Sequence, residues 1–248
     1  MAEPTQPARP QLRLLDGFEY EDAGRRVELP LGTQRLVAFL AFQERPLLRT
    51  YVAGCLWLDK SSERSYANLR SALWRLRRPA ARLIEVRGQH LTLSPEVGVD
   101  VHRVVGTARA LLSGCATSDS ALLLCGDLLP DWYDDWVVVE RERLRQLRLH
   151  ALEAYCVRLT KAGRFADAID AAMAAVTAEP LRESAYRVLI AAHLAEGNTA
   201  EAVHQYVRYR DLVCQALDIE PSKRLTAMVA DAIDLDIVDA WGGQRRAS

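Results

Sequence analysis

The feature that most constrains the fold is an internal repeat in the C-terminal half of the chain. From Leu149 to about Leu217 similar residues recur at an offset of 34 positions: Ala151 with Ala185, Tyr155 with Leu189, Gly163 with Gly197, Ala168 with Ala202, and Ile169 with Val203. This is the period of tetratricopeptide helix pairs, which bury their apolar faces by stacking. The aromatic-rich start of a typical repeat is only partly present, so we predict two or three degenerate repeats. Gly163 and Gly197 should end the first helix of each pair, and Ser222 should cap a last helix.

A second constraining stretch is Ser62 to Pro79, which has two different helical faces. Tyr66, Leu69, Leu73 and Leu76 fall on one face at about 100° per residue, and the opposite face carries Arg64, Asn68, Ser71, Arg75 and Arg78. Ser62 is the expected N-cap, and Pro79 cannot continue the helix. The apolar face suits a core, whereas the basic face suits a polyanion or is simply solvated.

The segment after this helix is a predicted β-hairpin. Two short β-like runs, Leu83–Val86 and Leu91–Leu93, are joined through Arg87-Gly88-Gln89-His90, which gives the hairpin a basic tip. Trp74 lies between the two faces of the preceding helix, where packing is favoured over stacking on a base. Arg70 and Arg77 flank the apolar stripe, and they either grip phosphates or extend their stems along the core.

The N-terminal part predicts a small sheet followed by two helices. Leu12–Leu14 and Arg26–Leu29 alternate at period two around a turn at Asp22-Ala23-Gly24, which predicts antiparallel strands. Thr33 should cap a helix that reaches Gln43 and is apolar nearly all round, and Thr50 should cap the next one. The order is therefore sheet, three helices and hairpin.

Composition excludes several classes of protein. The 248 residues have a net charge of −1, yet the segment from Lys60 to His90 holds eight Lys or Arg against two Glu, which indicates a local docking surface. The five cysteines form no metal-ligand pattern, so we expect small buried hydrophobes in a reducing cytoplasm, with no metal and no cofactor. No run reaches the length of a membrane span, and no phosphate-binding glycine loop, zinc-protease motif or nucleophile elbow is present, so we expect no membrane association and no enzyme.

The order of elements resembles the OmpR-like winged helix, the effector fold of two-component regulators. The resemblance implies that the third helix enters the major groove of DNA and that the hairpin touches the backbone or the minor groove. It makes Arg64, Asn68, Ser71 and Arg75 candidates for base edges or nearby phosphates. Candidates for phosphates are Arg78, Arg87 and His90, with Arg70 and Arg77 beside them. The exposed, charged loop Leu58–Glu63 should face RNA polymerase through Asp59, Lys60 and Glu63, unless it is a plain capping loop.

The helical half resembles the bacterial transcriptional activator domain. The resemblance rests on Glu179–Glu183, on Gly197 with Glu201-Ala202-Val203, on Tyr206, on Leu217–Ser222, and on Gly126–Pro130 with Trp136 and Arg141. Asn198 departs from the family, which often has Arg there. The acidic, aromatic segment Gly126–Trp136 is interpreted as a connector pinned to the core by its tryptophans rather than as an acidic binding surface.

Together the two halves resemble a Streptomyces antibiotic regulatory protein over residues 11–236. The expected fold is mainly α with a small β component: a tail at residues 1–10, a winged helix at 11–99, a tetratricopeptide-like domain at 100–236, and a frayed end at 237–248. The resemblance implies a cytoplasmic, nucleoid-associated activator that binds direct repeats as a dimer. It would recruit RNA polymerase holoenzyme with its sigma factor to an antibiotic or other secondary-metabolite gene cluster. The alternative is a repeat-type protein-interaction scaffold with degenerate DNA binding, and salt-dependent DNA binding separates the two.

Overall fold

The computed structural model describes residues 9–77, 80, 83–115, 123 and 126–232. These residues fall into two compact units: residues 1–106 with 125–144, and residues 107–124 with 145–248. The first unit therefore takes in a segment well beyond the expected boundary near residue 100. Within the described part, the expected architecture is confirmed, because a winged unit with small sheets precedes a helical one.

The first unit begins with a four-stranded sheet that differs from the predicted one. Its strands are β1 (Gln11–Arg13), β2 (Glu19–Asp22), β3 (Arg25–Arg26) and β7 (Gly98–Val99), in the order β3-β2-β1-β7. The turn at Ala23-Gly24 joins β2 to β3, so the predicted strand at 26–29 was wrong in extent and β2 was missed. β1 also pairs with β7 in parallel, whereas only antiparallel strands were predicted.

Three helices follow, as predicted, but their N-caps differ from the predicted ones. The helices are α1 (Leu31–Ala41), α2 (Arg49–Leu56) and α3 (Ser62–Leu76), and their N-caps are Pro30, Leu48 and Ser61 instead of Thr33, Thr50 and Ser62. Thr33 lies inside the first turn of α1 and is buried. Pro30 suits the start of α1 because its fixed φ fits an extended cap, and because Thr33 and Gln34 donate backbone hydrogen bonds to its carbonyl.

The hairpin forms where the sequence predicted it. Strands β5 (Ile84–Arg87) and β6 (His90–Leu93) are antiparallel, and Gly88 in the two-residue turn has a φ of +60°, which glycine adopts without strain. A short strand β4 (Leu47–Leu48), which was not predicted, pairs with β6 and completes a three-stranded sheet. The hairpin is thereby tied to the start of α2.

The connector after helix α4 (Asp100–Leu112) anchors itself in the first unit through aromatic side chains. Trp132 stacks on Phe18 with ring centroids 6.1 Å apart, and Trp136 forms a T-shaped pair with Phe39 with centroids 5.4 Å apart. Arg141, in helix α5 (Asp135–Lys161), donates hydrogen bonds to the carbonyls of Leu128, Leu129 and Trp132. These contacts confirm that the tryptophans pin the connector to the core.

The second unit contains the repeated helix pairs. After α5 come α6 (Phe165–Ala178), α7 (Glu183–Glu196), α8 (Thr199–Leu217) and α9 (Lys223–Ala230). Gly163 and Gly197 take φ values of +71° and +88° just after α5 and α7, and Ala168 and Ala202 are fully buried at equivalent places in α6 and α8. The period of 34 therefore marks real structural equivalence.

Two helices of this unit begin at N-cap residues whose side chains accept a backbone hydrogen bond. Ser222 caps α9 as predicted, since its side chain accepts a hydrogen bond from the Leu225 backbone. Leu225 and Val229 point inward, whereas Ile233 and residues 237–248 lie outside the described part. Asn198, the departure from the family pattern, is the N-cap of α8, where its side-chain oxygen accepts from the backbone of Glu201.

Candidate nucleic-acid interface

Helix α3 is the centre of the candidate site, and its two faces separate as the sequence predicted. Leu69, Ala72 and Leu76 are buried, while Tyr66 and Leu73 are half-buried. On the opposite side the side chains of Arg64, Asn68, Ser71 and Arg75 are all exposed. A single helix therefore presents four polar side chains along one line that extends over about three turns.

The start of α3 is fixed by a residue that the sequence analysis missed. Ser65 is buried, and its hydroxyl donates a hydrogen bond to the Trp57 carbonyl just after α2 at 3.0 Å. This bond links the end of one helix to the beginning of the next, so it sets the angle of the turn between them. The sequence gives no sign of this role, because Ser65 lies within a segment that Arg64 and Tyr66 already mark as helical.

The hairpin is held to the start of α2 by a backbone contact. The N–H of Arg49, the first residue of α2, donates to the Gln89 carbonyl in the turn of the hairpin at 2.9 Å. At the tip, Arg87 and His90 face each other across the two strands, and both are exposed. Arg87 donates to the Glu85 carboxylate at 2.8 Å.

The arginines of α3 and its C-cap residue Arg77 have no acidic partner among the described residues. Within the described part of the chain, Arg64, Arg70, Arg75 and Arg77 form no ion pair with an acidic side chain. All four are exposed, including Arg70 and Arg77, for which a stem along the core was the alternative. Glu63, the one acidic residue of the first turn, lies near the helix N-terminus, where a negative charge is favoured.

The predicted packing of Trp74 was wrong, and the prediction for Arg78 falls outside the described residues. Trp74 was expected to pack, but it is 69% exposed, because none of the elements in the described part of the chain covers that side of α3. It lines a groove of about 890 Å³ between α3 and the hairpin. Arg78 and Pro79 lie outside the described residues.

The loop before α3 is a charged surface. Leu58, Asp59 and Lys60 are exposed, and so is Glu63 in the first turn of the helix. Leu58 is exposed to 73% although it is apolar. The structure thus leaves this loop accessible, while its partner stays a prediction.

The cysteines follow their expected character only in part. Cys156 is buried, and this burial raises the pKa of its thiol to about 11. Cys115 is exposed, and Cys55 and Cys214 are half-buried, so the expectation of uniformly buried cysteines was wrong.

Among the described residues no group of His, Cys, Asp and Glu is arranged to hold a metal ion. In the same part of the chain, no helix combines the length and the apolar character needed to cross a bilayer.

The fold and the exposed face of α3 define a winged helix-turn-helix protein with an attached helical domain. The family described as the bacterial transcriptional activator domain matches residues 99–232, which is more than half of the chain. The chain belongs to this family of transcriptional regulators, and the expected resemblance to Streptomyces antibiotic regulatory proteins is confirmed.

Comparison with solved structures supports the same fold. The structure of Mycobacterium tuberculosis EmbR in complex with a low affinity phosphopeptide is similar with a TM-score of 0.64 and 21% sequence identity. The similarity covers 94% of this chain and 68% of the EmbR chain. A comparison with curated protein sequences gives no match.

Proposed function

We propose that this regulator is a transcriptional activator that binds specific DNA sequences through α3 and the hairpin. The observation that carries the proposal is the line of exposed side chains at Arg64, Asn68, Ser71 and Arg75, opposite a buried face. A helix fits the major groove, which is about 12 Å wide, and only in that groove do all four base pairs look different. The chain would act by binding and would catalyse no reaction.

The chemistry of the line suits base edges and nearby phosphates. Arg binds the O6 and N7 acceptors of guanine with two hydrogen bonds, and Asn binds N6 and N7 of adenine in the same way. Arg64, Arg75 and Asn68 are therefore the proposed readers, and Ser71 is short enough to let the helix approach closely. Arg70 and Arg77, on the side of the helix nearer the hairpin, would hold phosphates.

The hairpin would add backbone contacts. Arg87 and His90 are exposed at its tip, and we propose phosphates as their partners. Arg78, which lies outside the described residues, is proposed to bind a phosphate as well. The existing pair between Arg87 and Glu85 is no obstacle, because Arg87 is 78% exposed and a surface ion pair contributes only about 0–1 kcal/mol. A phosphate can therefore replace the carboxylate at small cost.

The wider biological setting comes from the family resemblance. We propose that two protomers bind direct repeats near a promoter and that Asp59, Lys60 and Glu63 contact RNA polymerase. The targets would be genes for a secondary metabolite such as an antibiotic, and the protein would reside in the cytoplasm with the nucleoid. The exposure of the Leu58–Glu63 loop supports an accessible contact of this kind.

The decisive experiment measures binding of duplex DNA by the whole protein carrying Arg64→Ala and Arg75→Ala together. The duplex is one that the wild-type protein selects from a random pool, and binding is followed by fluorescence anisotropy as salt is varied. Each lost base contact should cost about 1–3 kcal/mol on the selected duplex, whereas a lost phosphate contact weakens all duplexes alike and lowers the salt slope by about 1.

The matched control is a double variant in the same unit that also removes two positive charges but lies away from α3. Arg25 and Arg103 are exposed and lie off α3, so Arg25→Ala with Arg103→Ala should bind like the wild type. Equal affinities for the wild type and the Arg64/Arg75 variant would refute the proposal. Binding of partner proteins without any salt-dependent DNA binding would favour the scaffold alternative.

A further inference from the structure

The groove between α3 and the hairpin has an apolar wall that the proposed polar contacts do not use. Trp74 on α3 and Val86 on β5 are exposed to 69% and 48%, and both line the groove, with Ile84 half-buried beside them. An exposed indole next to an exposed valine costs free energy in water, because about 25 cal/mol is lost for each Å² of apolar surface left uncovered. This wall is therefore a candidate contact surface.

The same groove is rich in positive charge. Arg49, Arg70, Arg75 and Arg77 line it, with Ser71 and Arg75 at the edge shared with the base-reading line, and none of the four arginines forms an ion pair with an acidic side chain in the described part of the chain. The Nε of Arg49 is buried without a hydrogen-bond partner among those residues. An occupant that matches both features has an apolar surface with negative charges on either side, and a deoxyribose between two phosphates has this pattern.

The position of Trp74 on the helix separates it from the base-reading line. At about 100° per residue, Trp74 lies about 90° from the middle of the line formed by Arg64, Asn68, Ser71 and Arg75, on the side of Arg70 and Arg77. When that line faces the base edges, Trp74 faces the adjoining sugar–phosphate strand. We propose that Trp74 packs against a deoxyribose of the DNA strand that passes between α3 and the hairpin, with Arg70 and Arg77 on the flanking phosphates. This contact rests on the proposed function.

An apolar contact to the sugar differs measurably from a phosphate contact and from a base contact. The variant Trp74→Ala should bind about 10- to 100-fold more weakly, since an aromatic contact surface is lost and tenfold corresponds to about 1.4 kcal/mol. Its salt slope should equal that of the wild type because no phosphate loses its cation. Every duplex has the same sugars, so a selected duplex and a scrambled duplex should lose affinity by the same factor.

Three variants make the test specific. Trp74→Phe keeps an aromatic face and should retain most of the affinity, and the isosteric Val86→Thr should cause a smaller loss with an unchanged slope. Arg70→Ala should lower the slope by about 0.9, which marks a phosphate contact in the same groove. Tyr133→Ala is the matched control, because Tyr133 is 83% exposed in the same unit but does not line the groove, and it should bind like the wild type.

The experiment is anisotropy with both duplexes between about 50 and 200 mM salt, the range over which phosphate contacts dominate. A wild-type protein that binds neither duplex overturns the proposed function and this contact together. Wild-type binding with an unchanged affinity of Trp74→Ala overturns the contact alone. A loss confined to the selected duplex also overturns it, since Trp74 would then touch a base, and so does a lowered salt slope.

Discussion

The carboxylate of Asp100 accepts a hydrogen bond from the backbone N–H of Leu14, with both carboxylate oxygens 3.0 Å from the nitrogen. The same side chain accepts from the N–H of Leu15 at 3.0 Å and from Val101 at 2.7 Å. One carboxylate at the start of α4 therefore fixes the chain where it leaves β1, across 86 positions of sequence. This link helps to hold the sheet beside α4 within the first unit.

Replacing Asp100 should destabilise the first unit. In Asp100→Ala the N–H groups of Leu14 and Leu15 lose their acceptor, and a buried donor without a partner costs about 1–3 kcal/mol. Denaturant unfolding followed by tryptophan fluorescence should show the loss, because Trp132 and Trp136 are packed in this unit. Asp131→Ala, at an exposed position, should leave the midpoint unchanged, and an unchanged midpoint in Asp100→Ala would contradict the structural role.

Two glycines in the first unit should respond in opposite directions to alanine. A Cβ on Gly126 would lie 1.4 Å from a carboxylate oxygen of Asp16, whereas a Cβ on Gly106 in α4 meets no atom within 4 Å. Gly126→Ala should therefore cost about 1 kcal/mol, because the carboxyl end of the Asp16 side chain has to turn away from the new methyl group, and Gly106→Ala should stabilise by about 0.5–1 kcal/mol through its helix propensity. Thermal melts of the two proteins check both signs, and two shifts in the same direction would disprove the prediction.

The thiols should react in an order set by burial. Cys156 is buried with a pKa of about 11, so it carries almost no thiolate at pH 8, while Cys115 is exposed. Brief treatment of the folded protein with iodoacetamide, followed by peptide mass analysis, should find Cys115 alkylated and Cys156 unmodified. Raising the pH towards 11 should increase the labelling of Cys156, because the thiolate forms as pH approaches its pKa. Equal labelling of the two at pH 8 would contradict the assigned burial.

The sequence predicted those features that depend on local periodicity. The faces of α3 were predicted because an amphipathic helix displays its burial pattern within a few turns, and Leu69 and Arg75 lie on opposite faces of the helix as expected. The repeat was predicted because Ala168 and Ala202 need the same small size at equivalent crossings.

Features set by distant partners were not predictable. The strand Glu19–Asp22 is acidic and has weak β propensity, but Glu19 forms ion pairs with Arg13 at 2.9 Å and Arg26 at 2.8 Å on the strands at either side. Trp74 was expected to pack because nothing in its own helix shows that the hairpin leaves it uncovered. The caps of α1 to α3 were misplaced by one to three residues because the direction of the incoming chain decides where a helix starts.

DNA binding and activation should be separable at the loop before α3. Asp59 and Lys60 are exposed, and neither lies on the face of α3 that carries the DNA candidates. Reversing both charges, with Asp59→Lys and Lys60→Glu, should leave DNA affinity intact and lower transcription in a purified system, since a charged protein contact would be broken. The control is Asp22→Lys with Arg25→Glu, which reverses two charges outside the loop and likewise leaves the net charge unchanged. Parallel loss of binding and activation would refute this assignment.

Cooperative binding should depend on the helical phase of the two half-sites. Half-sites about 10–10.5 base pairs apart place two protomers on the same side of the duplex, where they can touch. An insertion of about five base pairs turns one protomer to the opposite side and should abolish cooperativity, whereas about ten should partly restore it because the phase returns. Titrations of the three duplexes measure the coupling, with single-site duplexes as the control for intrinsic affinity.

Sedimentation of the free protein across concentration is the companion measurement, because a dimer formed before binding would give apparent cooperativity of another origin. Cooperativity that persists unchanged in the duplex with five added base pairs would show that the protomers do not contact each other in the proposed way.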